Sequence, residues 1–197
     1  MWGSNTDSGN NSSLLAVSTN GKYMYADNET GRDQPGHISA FSFDKTEGKL
    51  SFINQQLSGG DDPCFVTVDQ SGKWVVAANY SGGNLSSFPV NKDGSLASYS
   101  QLIQHKGSSA NKQRQEKAHV HSTFFSPDYQ YILAPDLGLD KVMVYQFNAF
   151  SRKPLTQSTV HYATSIPGSG PRRLAFRPNK KLVYLLEELT ANVNVSA

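Results

Sequence analysis

Two histidines, His119 and His121, stand two residues apart in the segment HVHST. In an extended strand, residues i and i+2 point to the same face, so the two imidazoles are expected side by side. An imidazole with a pKa of about 6.5 can give or take a proton at neutral pH, and it can also ligate a metal. No nearby Cys or carboxylate completes a recognisable ligand set, so the sequence predicts no metal site. A structural hydrogen-bonding role for the pair stays open.

An arginine pair and a glutamate pair could support acid–base chemistry on an anionic substrate. Arg172 and Arg173 follow a proline, and Glu187 and Glu188 follow an apolar stretch. A guanidinium grips a carboxylate or phosphate through its planar fork of donors. A carboxylate can act as a base or orient an imidazole. Without further context, the same residues are typical of a solvated turn and a solvated strand end.

A repeat positions these residues along the chain. Four segments align without gaps: STNGKYMYADN (18–28), DQSGKWVVAAN (69–79), SPDYQYILAPD (126–136) and RPNKKLVYLLE (177–187). Each reads as a turn followed by a strand, with a short apolar strand before it and an alternating strand after it. The equivalent residues Gly21, Gly72, Tyr129 and Lys180 recur with a period of roughly fifty residues, which is typical of propeller blades.

The sequence therefore predicts an all-β chain that forms a β-propeller of about three and a half to four blades. Low charge content (17%), 16 Gly, 9 Pro, 9 Tyr and 10 Phe favour short strands and many turns. Four antiparallel strands per repeat are the signature of a propeller blade. The expected organisation is an irregular or disordered segment 1–12 followed by repeats at approximately 13–60, 61–117, 118–168 and an incomplete 169–197.

Polar residues end the equivalent strands of this repeat. Asn28, Asn79 and Asp136 close three of them, and Tyr80 follows the second. They are expected to cluster near one face of the ring, where a ligand could bind; turn capping by their side chains is the alternative. The glycine-rich segments YSGGN (80–84) and GSGP (168–171) lack the strand-to-helix context of a phosphate-binding loop and are interpreted as blade turns. The segment 105–117 is interpreted as a polar loop.

Charge and composition exclude several partners. The net charge of +2 is scattered along the chain, so neither nucleic acid nor a membrane surface is an expected partner. No apolar stretch has the length of a membrane span, and the first residues lack the features of a signal peptide, so a cytoplasmic location is expected. The single cysteine, Cys64, excludes an internal disulfide and is expected to be a small core residue.

Several strings resemble the blade motifs of the lactonase family of seven-bladed propellers, which includes 6-phosphogluconolactonase and carboxymuconate-lactonising enzyme. They are GHISAFSFDKTEGKL, DPCFVTVDQSGKWVVAANYSGGNLSSFPV, RQEKAHVHSTFFSPD, APDLGLDKV and GSGPRRLAFRPNKKLVYLLEEL, in the family's order. Seven such repeats need roughly 350 residues. We therefore expect the chain to be part of a longer reading frame, or to close a ring by pairing with another copy. A free-standing sandwich or half-propeller is the alternative.

The resemblance also implies a site. In the muconate-lactonising branch, a His, an Arg and a Glu on neighbouring blades are proposed to act together, and their counterparts are His121, Arg172 and Glu188. The residues expected to contact substrate are His119, Gln115, Arg173, Asn79, Tyr80 and Asp136. The sequence departs from the family pattern at Arg173, where phosphogluconolactonase-like members usually carry His, and at AHVH in place of PHxH. Both departures bear on ligand preference.

Three functions follow as expectations. The first is hydrolysis of a sugar lactone such as 6-phosphogluconolactone, without a cofactor or metal. The second is cycloisomerisation of a carboxylated muconate, which would use the same trio. The third is a non-catalytic propeller for binding or scaffolding, which predicts a ring face without convergent ionisable groups. The expected partners are a small lactone or carboxylate substrate and, through open propeller edges, another copy of the chain.

Overall fold

The computed structural model of the chain describes residues 6–30, 35–179 and 181–196. Its regular structure within these ranges consists of β-strands, and no helix is present there. The strands are β1 (Leu15–Val17), β2 (Tyr23–Asn28), β3 (His37–Asp44), β4 (Lys49–Leu57), β5 (Pro63–Val68), β6 (Trp74–Asn79), β7 (Asn84–Pro89), β8 (Gln101–Gln104), β9 (Phe124–Phe125), β10 (Tyr131–Asp136), β11 (Lys141–Phe147), β12 (Leu155–Thr164), β13 (Pro171–Phe176), β14 (Val183–Glu187) and β15 (Asn192–Ser196).

The strands form four antiparallel sheets in chain order: β1 to β4, β5 to β8, β9 to β12, and β13 to β15. Strands that are neighbours in sequence are also neighbours in space, so each sheet is a meander of hairpins. The prediction of an all-β chain is confirmed for the described residues. The predicted repeat boundaries and the segment 1–12 stay predictions, and residues 1–5 lie outside the described ranges.

The turn between the first two strands of a sheet shows why the repeat is visible in the sequence. Gly21, Gly72 and Tyr129 occupy the same turn position with φ of 65°, 68° and 58°. In each turn, the amide of this residue donates to the carbonyl three residues earlier. Glycine adopts this left-handed conformation freely, whereas a residue such as Tyr129 bears a cost of about 1 kcal/mol. The equivalent Lys180 lies outside the described residues.

The core consists of two apolar layers on either side of the second sheet. On β6, Val75 and Ala77 face the first sheet and pack with Tyr25. Val76 and Ala78 face the third sheet. Because both faces of β6 are covered, all six of its residues are buried and apolar residues run almost continuously along it. The second sheet is therefore packed against a neighbouring sheet on each of its faces.

Neighbouring sheets are also joined by a polar contact that repeats. The residue that follows the last strand of one sheet meets the residue that ends the second strand of the next sheet. Asn79 Nδ2 donates to the backbone carbonyl of Ser58, the His105 imidazole contacts Asp136, and Ser165 lies near Glu187 at the third junction. The strand-end residues in these pairs are fully buried. Burial of a polar side chain costs free energy unless a partner satisfies it. The junctions supply a partner for Asn79 Nδ2 and for Asp136 Oδ2, whereas Asn79 Oδ1 and Glu187 Oε2 have none among the described residues.

Candidate active site

The Glu188 carboxylate lies at the centre of a cluster of ionisable side chains. Its Oε2 is 3.3 Å from His121 Nε2 and accepts a hydrogen bond from the Arg172 guanidinium. Its Oε1 accepts a 2.5 Å hydrogen bond from Arg114. The structure therefore brings together the three residues that the sequence grouped, and it adds a second guanidinium. Their catalytic roles stay predictions.

A β-bulge places Arg172. The pairing of β13 with β14 changes register between Pro171 and Arg173, which leaves Arg172 as the extra residue on its strand. A bulge bends the strand and re-aims the side chain it carries, and such bulges are frequent next to active sites. Here the re-aimed guanidinium reaches Glu188. The glycine, proline and two arginines of GPRR thus form a locally irregular strand start rather than a solvated turn.

Backbone hydrogen bonds fix the other two members of the group. His121 lies just before β9, and its amide donates to the carbonyl of Pro135 in β10 at 2.9 Å. Glu188 directly follows β14, and its amide donates to the carbonyl of Gly170 at 2.7 Å. Both side chains therefore project from the rim where the strands of their sheets end.

An aromatic stack forms one wall of the site. The Tyr80 ring stacks on the His119 imidazole with ring centres 4.5 Å apart, and it meets His121 edge-on at 5.3 Å. His119 Nδ1 is 3.1 Å from the carbonyl oxygen of Tyr80, and Nε2 is 3.2 Å from Glu116 Oε1. Both imidazoles thus face the same space, as the i and i+2 spacing predicted. Both nitrogens of His119 already contact protein acceptors.

Arg114 is a site residue that sequence reasoning missed. It stands on the polar loop 105–117, and its guanidinium donates to Tyr80 Oη at 3.3 Å as well as to Glu188. The loop has no counterpart in the other repeats, so the internal alignment gave no position for it. The sequence signal for this residue is the adjacent pair Arg114 and Gln115, which precedes the two histidines. Substrate contact was predicted for Gln115 of this pair and not for Arg114.

These side chains surround a cavity of about 520 Å³. Most of its lining comes from two equivalent positions of the repeat. One lies at a fixed spacing before each aligned segment, and the other directly follows the second strand of a sheet. The first position supplies Ser13, Cys64, His121 and Arg172, and the second supplies Glu29, Tyr80 and Glu188. Extending the alignment by these two positions would have found Ser13 and Glu29, which sequence reasoning missed.

Gln115 does not reach the cavity. It is fully buried, its Nε2 donates to the carbonyl oxygen of Leu137 at 2.8 Å, and its Oε1 accepts from the amide of Asn111 at 2.9 Å. Both ends of the amide are therefore engaged by backbone groups. The geometry gives Gln115 a role in holding the loop 105–117, and its predicted contact with substrate has no support here.

Asn79 and Asp136 also lie in the interior rather than along the cavity. Asn79 Nδ2 donates to Asn84 Oδ1 at 2.7 Å. Asp136 Oδ2 is 2.7 Å from His105 Nδ1, and Oδ1 accepts from the amide of His119 at 2.8 Å. These contacts favour the alternative stated for this position, in which the side chain caps the end of the strand.

Three guanidinium groups give the cavity its electrostatic character. Arg114, Arg172 and Arg173 all line it. Arg173 lies over the Phe65 ring at 5.2 Å, which holds its charged group by a cation–π contact. Guanidinium groups recognise carboxylate and phosphate through paired hydrogen bonds, so the cavity is suited to an anionic ligand.

The pKa values of Glu188 and His121 are shifted by these surroundings. Burial raises the pKa of Glu188, but the hydrogen bond from Arg114 and the charges of Arg172 and His121 outweigh burial, so the net shift is downward. Burial lowers the pKa of His121; a backbone hydrogen bond and Glu188 oppose burial, and the charge of Arg172 adds to it. At neutral pH the site therefore holds an ionised carboxylate against a neutral imidazole.

Glu29 contrasts with Glu188. Burial raises the pKa of Glu29, and a hydrogen bond from Ser13 offsets the rise in part. Of the three carboxyl groups that line the cavity, those of Glu29 and Glu188 are thus shifted in opposite directions by their surroundings. Opposite shifts within one cavity are typical of sites that carry out acid–base chemistry.

Cys64 is buried, as expected of a small core residue, yet it also lines the cavity. Its Sγ lies 3.3 Å from the carbonyl oxygen of His121 and 3.9 Å from Nδ1 of the same residue. Burial raises the pKa of the Cys64 thiol, so it stays protonated and packs behind the imidazole.

No metal ligand set is assembled within the residues that the structure describes. The same ranges contain no apolar helix with the length needed to cross a lipid bilayer. The absence of a cofactor stays an expectation.

Known proteins resemble the chain over nearly its whole length. The model of the family described as "Lactonase, 7-bladed beta-propeller" matches residues 3–197. A 6-phosphogluconolactonase of Bacillus subtilis is 38% identical over 183 residues, which cover 93% of this chain and 50% of the relative. A 6-phosphogluconolactonase of Formosa agariphila is 35% identical over 194 residues, 98% of this chain and 55% of the relative.

A solved structure gives the same result. The periplasmic gluconolactonase of Pseudomonas aeruginosa superposes with a TM-score of 0.88 at 36% identity, and the match covers 94% of this chain and 53% of that protein. The chain thus spans about half the length of the relatives it matches. The predicted propeller fold is confirmed, and the chain belongs to the family of seven-bladed β-propeller lactonases.

Proposed function

We propose that this protein hydrolyses a sugar lactone that carries an anionic group, such as 6-phosphogluconolactone. The observation that carries the proposal is the convergence of His121, Arg172 and Arg114 on Glu188 in one cavity. A volume of about 520 Å³ lies within the range of small-molecule sites. The two relatives named as 6-phosphogluconolactonases support the substrate class.

His121 acts as the proton carrier in this proposal. Glu188 is an ionised acceptor, so the 3.3 Å contact requires the Nε2 proton of His121, and Nδ1 is then the basic nitrogen. His121 takes a proton from water as the water oxygen bonds to the lactone carbonyl carbon. The ring C–O bond then breaks, and the same proton passes to the ring oxygen, which yields the hydroxy acid. Glu188 orients the imidazole and stabilises its charged form.

The guanidinium groups bind charge in this scheme. Arg172 stands beside His121 on the shared carboxylate, so it is placed to stabilise the negative charge that develops on the carbonyl oxygen. Arg114, on the other oxygen of Glu188, and Arg173, over the Phe65 ring, also line the cavity and would hold the anionic group of the substrate. A neutral lactone has no anionic group for Arg114 and Arg173 to bind and should bind more weakly.

The test is hydrolysis of 6-phosphogluconolactone by the purified protein, followed as acid release above the spontaneous rate. His121→Gln and Glu188→Gln should each lower kcat/KM by about 100-fold or more, because each removes a group that handles or orients the proton. His161→Gln is a matched control, since His161 is exposed on β12. Folded variants of His121 and Glu188 that hydrolyse the lactone like the control would overturn the proposal.

Substrate comparison separates the alternatives. Gluconolactone without phosphate tests the need for an anion, and 3-carboxymuconate tests the cycloisomerase alternative. Turnover of the muconate with no lactone hydrolysis would favour that alternative. The non-catalytic alternative predicts a face without convergent ionisable groups, and the cluster around Glu188 argues against it.

The remaining expectations stay predictions. They are a cytoplasmic location, the absence of nucleic-acid and membrane partners, and self-association through the open faces of the outer sheets.

A further inference from the structure

The carboxylate of Asp136 holds both ends of the loop that carries Arg114. His105 is the first residue of the loop, and its Nδ1 is 2.7 Å from Asp136 Oδ2. His119 follows the loop, and its amide donates to Asp136 Oδ1 at 2.8 Å. The amide of Leu139 adds a third hydrogen bond to Oδ1 at 3.2 Å. One buried carboxylate therefore closes the base of the loop.

Tyr145 extends this contact into the third sheet. Its hydroxyl lies 2.7 Å from His105 Nε2, and the two rings are nearly parallel with centres 6.1 Å apart. Burial and the charge of Asp136 raise the pKa of Tyr145, so the hydroxyl keeps its proton. A carboxylate only accepts, so Nδ1 of His105 donates to Asp136; in the neutral imidazole Nε2 then accepts from Tyr145. The result is a hydrogen-bond chain from Tyr145 through His105 to Asp136, in which each residue is buried.

The loop itself is docked onto the third sheet beyond this base. Ser109 Oγ donates to Asp140 Oδ2 at 2.5 Å, and Gln115 Nε2 donates to the carbonyl oxygen of Leu137. In this position the loop delivers Arg114 to Glu188. The same loop delivers Glu116 to the His119 imidazole. The placement of the charged wall of the cavity thus depends on where the base of the loop is held.

We propose that His105 and Tyr145 are positioning residues of the site: through Asp136 they hold the loop 105–117 so that Arg114 reaches Glu188. Two features support this assignment. Serine stands at the equivalent place after the last strand of the first and third sheets, at Ser58 and Ser165, and the histidine occurs at the junction where the loop is inserted. The hydrogen-bond chain from Tyr145 to Asp136 contacts neither His121 nor Arg172. It therefore affects the position of Arg114 on the cavity wall rather than the proton carrier. The consequence for catalysis rests on the proposed function; the consequence for the loop does not.

The test compares His105→Ala, His105→Asn and Tyr145→Phe in the full chain, with His161→Ala as a matched histidine control. Asparagine places an amide donor close to the position of Nδ1, so it can keep the bond to Asp136, whereas alanine cannot. Amide hydrogen exchange of residues 107–116 is the first readout, measured relative to β6. His105→Ala should speed loop exchange by about tenfold or more, and His105→Asn should stay within about threefold of the unchanged protein.

Lactone hydrolysis is the second readout. His105→Ala should raise KM by about tenfold and leave kcat within about twofold, because the wall moves while His121 and Glu188 stay in contact. If the unchanged protein shows no lactonase activity, the proposed function fails, and loop exchange alone decides this inference.

Two results would overturn the inference. One is loop exchange in folded His105→Ala that matches the control. The other is acceleration that is equal in the loop and in β6, since that indicates a general loss of stability. If His105→Ala does not fold, Tyr145→Phe decides instead, because it removes a single hydroxyl. It should speed loop exchange by about threefold relative to β6, and no change would refute the hydrogen-bond chain.

Discussion

Arg114 donates a 2.5 Å hydrogen bond to Glu188 across 74 residues of sequence. The contact joins the polar loop 105–117 to the rim of the fourth sheet. Glu188 is also bound by Arg172, so two guanidinium groups hold its charge. A carboxylate held in this way is a weak base, and proton transfer is therefore left to His121 beside it.

Replacement of Arg114 by alanine should raise the pKa of Glu188. The hydrogen bond from Arg114 is the largest influence that lowers this pKa, and Arg172 remains in the variant. Carboxyl carbon NMR titration measures the shift directly. The kcat/KM of lactone hydrolysis should fall by about tenfold, mainly through a rise in KM, since Arg114 is part of the charged wall that would bind the anionic substrate.

Arg152→Ala is the matched control for Arg114→Ala, because Arg152 is exposed in the turn between β11 and β12. It should leave both the titration of Glu188 and the hydrolysis rate unchanged. An unaltered Glu188 titration in Arg114→Ala would show that the contact does not stabilise the ionised carboxylate.

The pH dependence of hydrolysis should follow His121. Burial lowers the pKa of this imidazole from its usual value of 6.5, and the proposed base is the neutral form. Activity should therefore be lost as pH falls through a midpoint below 6.5 and should be retained above it. Glu188 opposes the shift, so Glu188→Gln should move the midpoint of its residual activity to lower pH. A midpoint above 6.5, read from kcat/KM between pH 4.5 and 7.5, would contradict this assignment.

The sequence was sufficient for the fold because each sheet repeats the same local signals. Gly21, Gly72 and Tyr129 adopt one turn geometry. The strands that flank them alternate apolar and polar residues where one face is buried, and they are apolar almost throughout where both faces are buried, as in β6. The group His121, Arg172 and Glu188 was reached through family resemblance. The structure shows a physical reason for it, since these residues stand at two repeat positions that face the cavity.

Other site residues depended on information that a single sequence lacks. Arg114 comes from an insertion without a counterpart in the other repeats, so neither alignment nor periodicity places it. Asn79 and Asp136 end strands as predicted, but the neighbouring sheet buries them. After Asn79 the next residue, Tyr80, turns to the cavity, whereas after Asp136 the next residue, Leu137, is buried as well. A shift of one residue reverses the direction of a side chain in a strand, so strand ends are where such predictions fail.

Gly138→Ala should displace the backbone at the end of the loop 105–117. A Cβ atom at Gly138 would lie 1.8 Å from the carbonyl oxygen of Lys117, a backbone atom that cannot rotate away. The free energy of unfolding should fall by about 3 kcal/mol, because overpacking displaces backbone. Gly72→Ala is the comparison: an added Cβ there meets nothing, and the left-handed φ alone costs about 1 kcal/mol. Urea titration that ranks Gly72→Ala as the more damaging would argue against the close approach at Gly138.

The outer face of the fourth sheet predicts self-association. Leu186 pairs directly with Val193, and Val195 lies on the same face; these side chains are 40%, 59% and 58% exposed. An exposed apolar patch on an edge strand promotes association between chains, and an added charge opposes it. Light scattering should show an apparent mass that rises with concentration, and Val193→Lys should reduce the rise. Thr159→Lys, at an exposed polar position of β12, should leave it unchanged. A constant monomer mass for the unchanged protein, or equal association in both variants, would show that this face is not the contact surface.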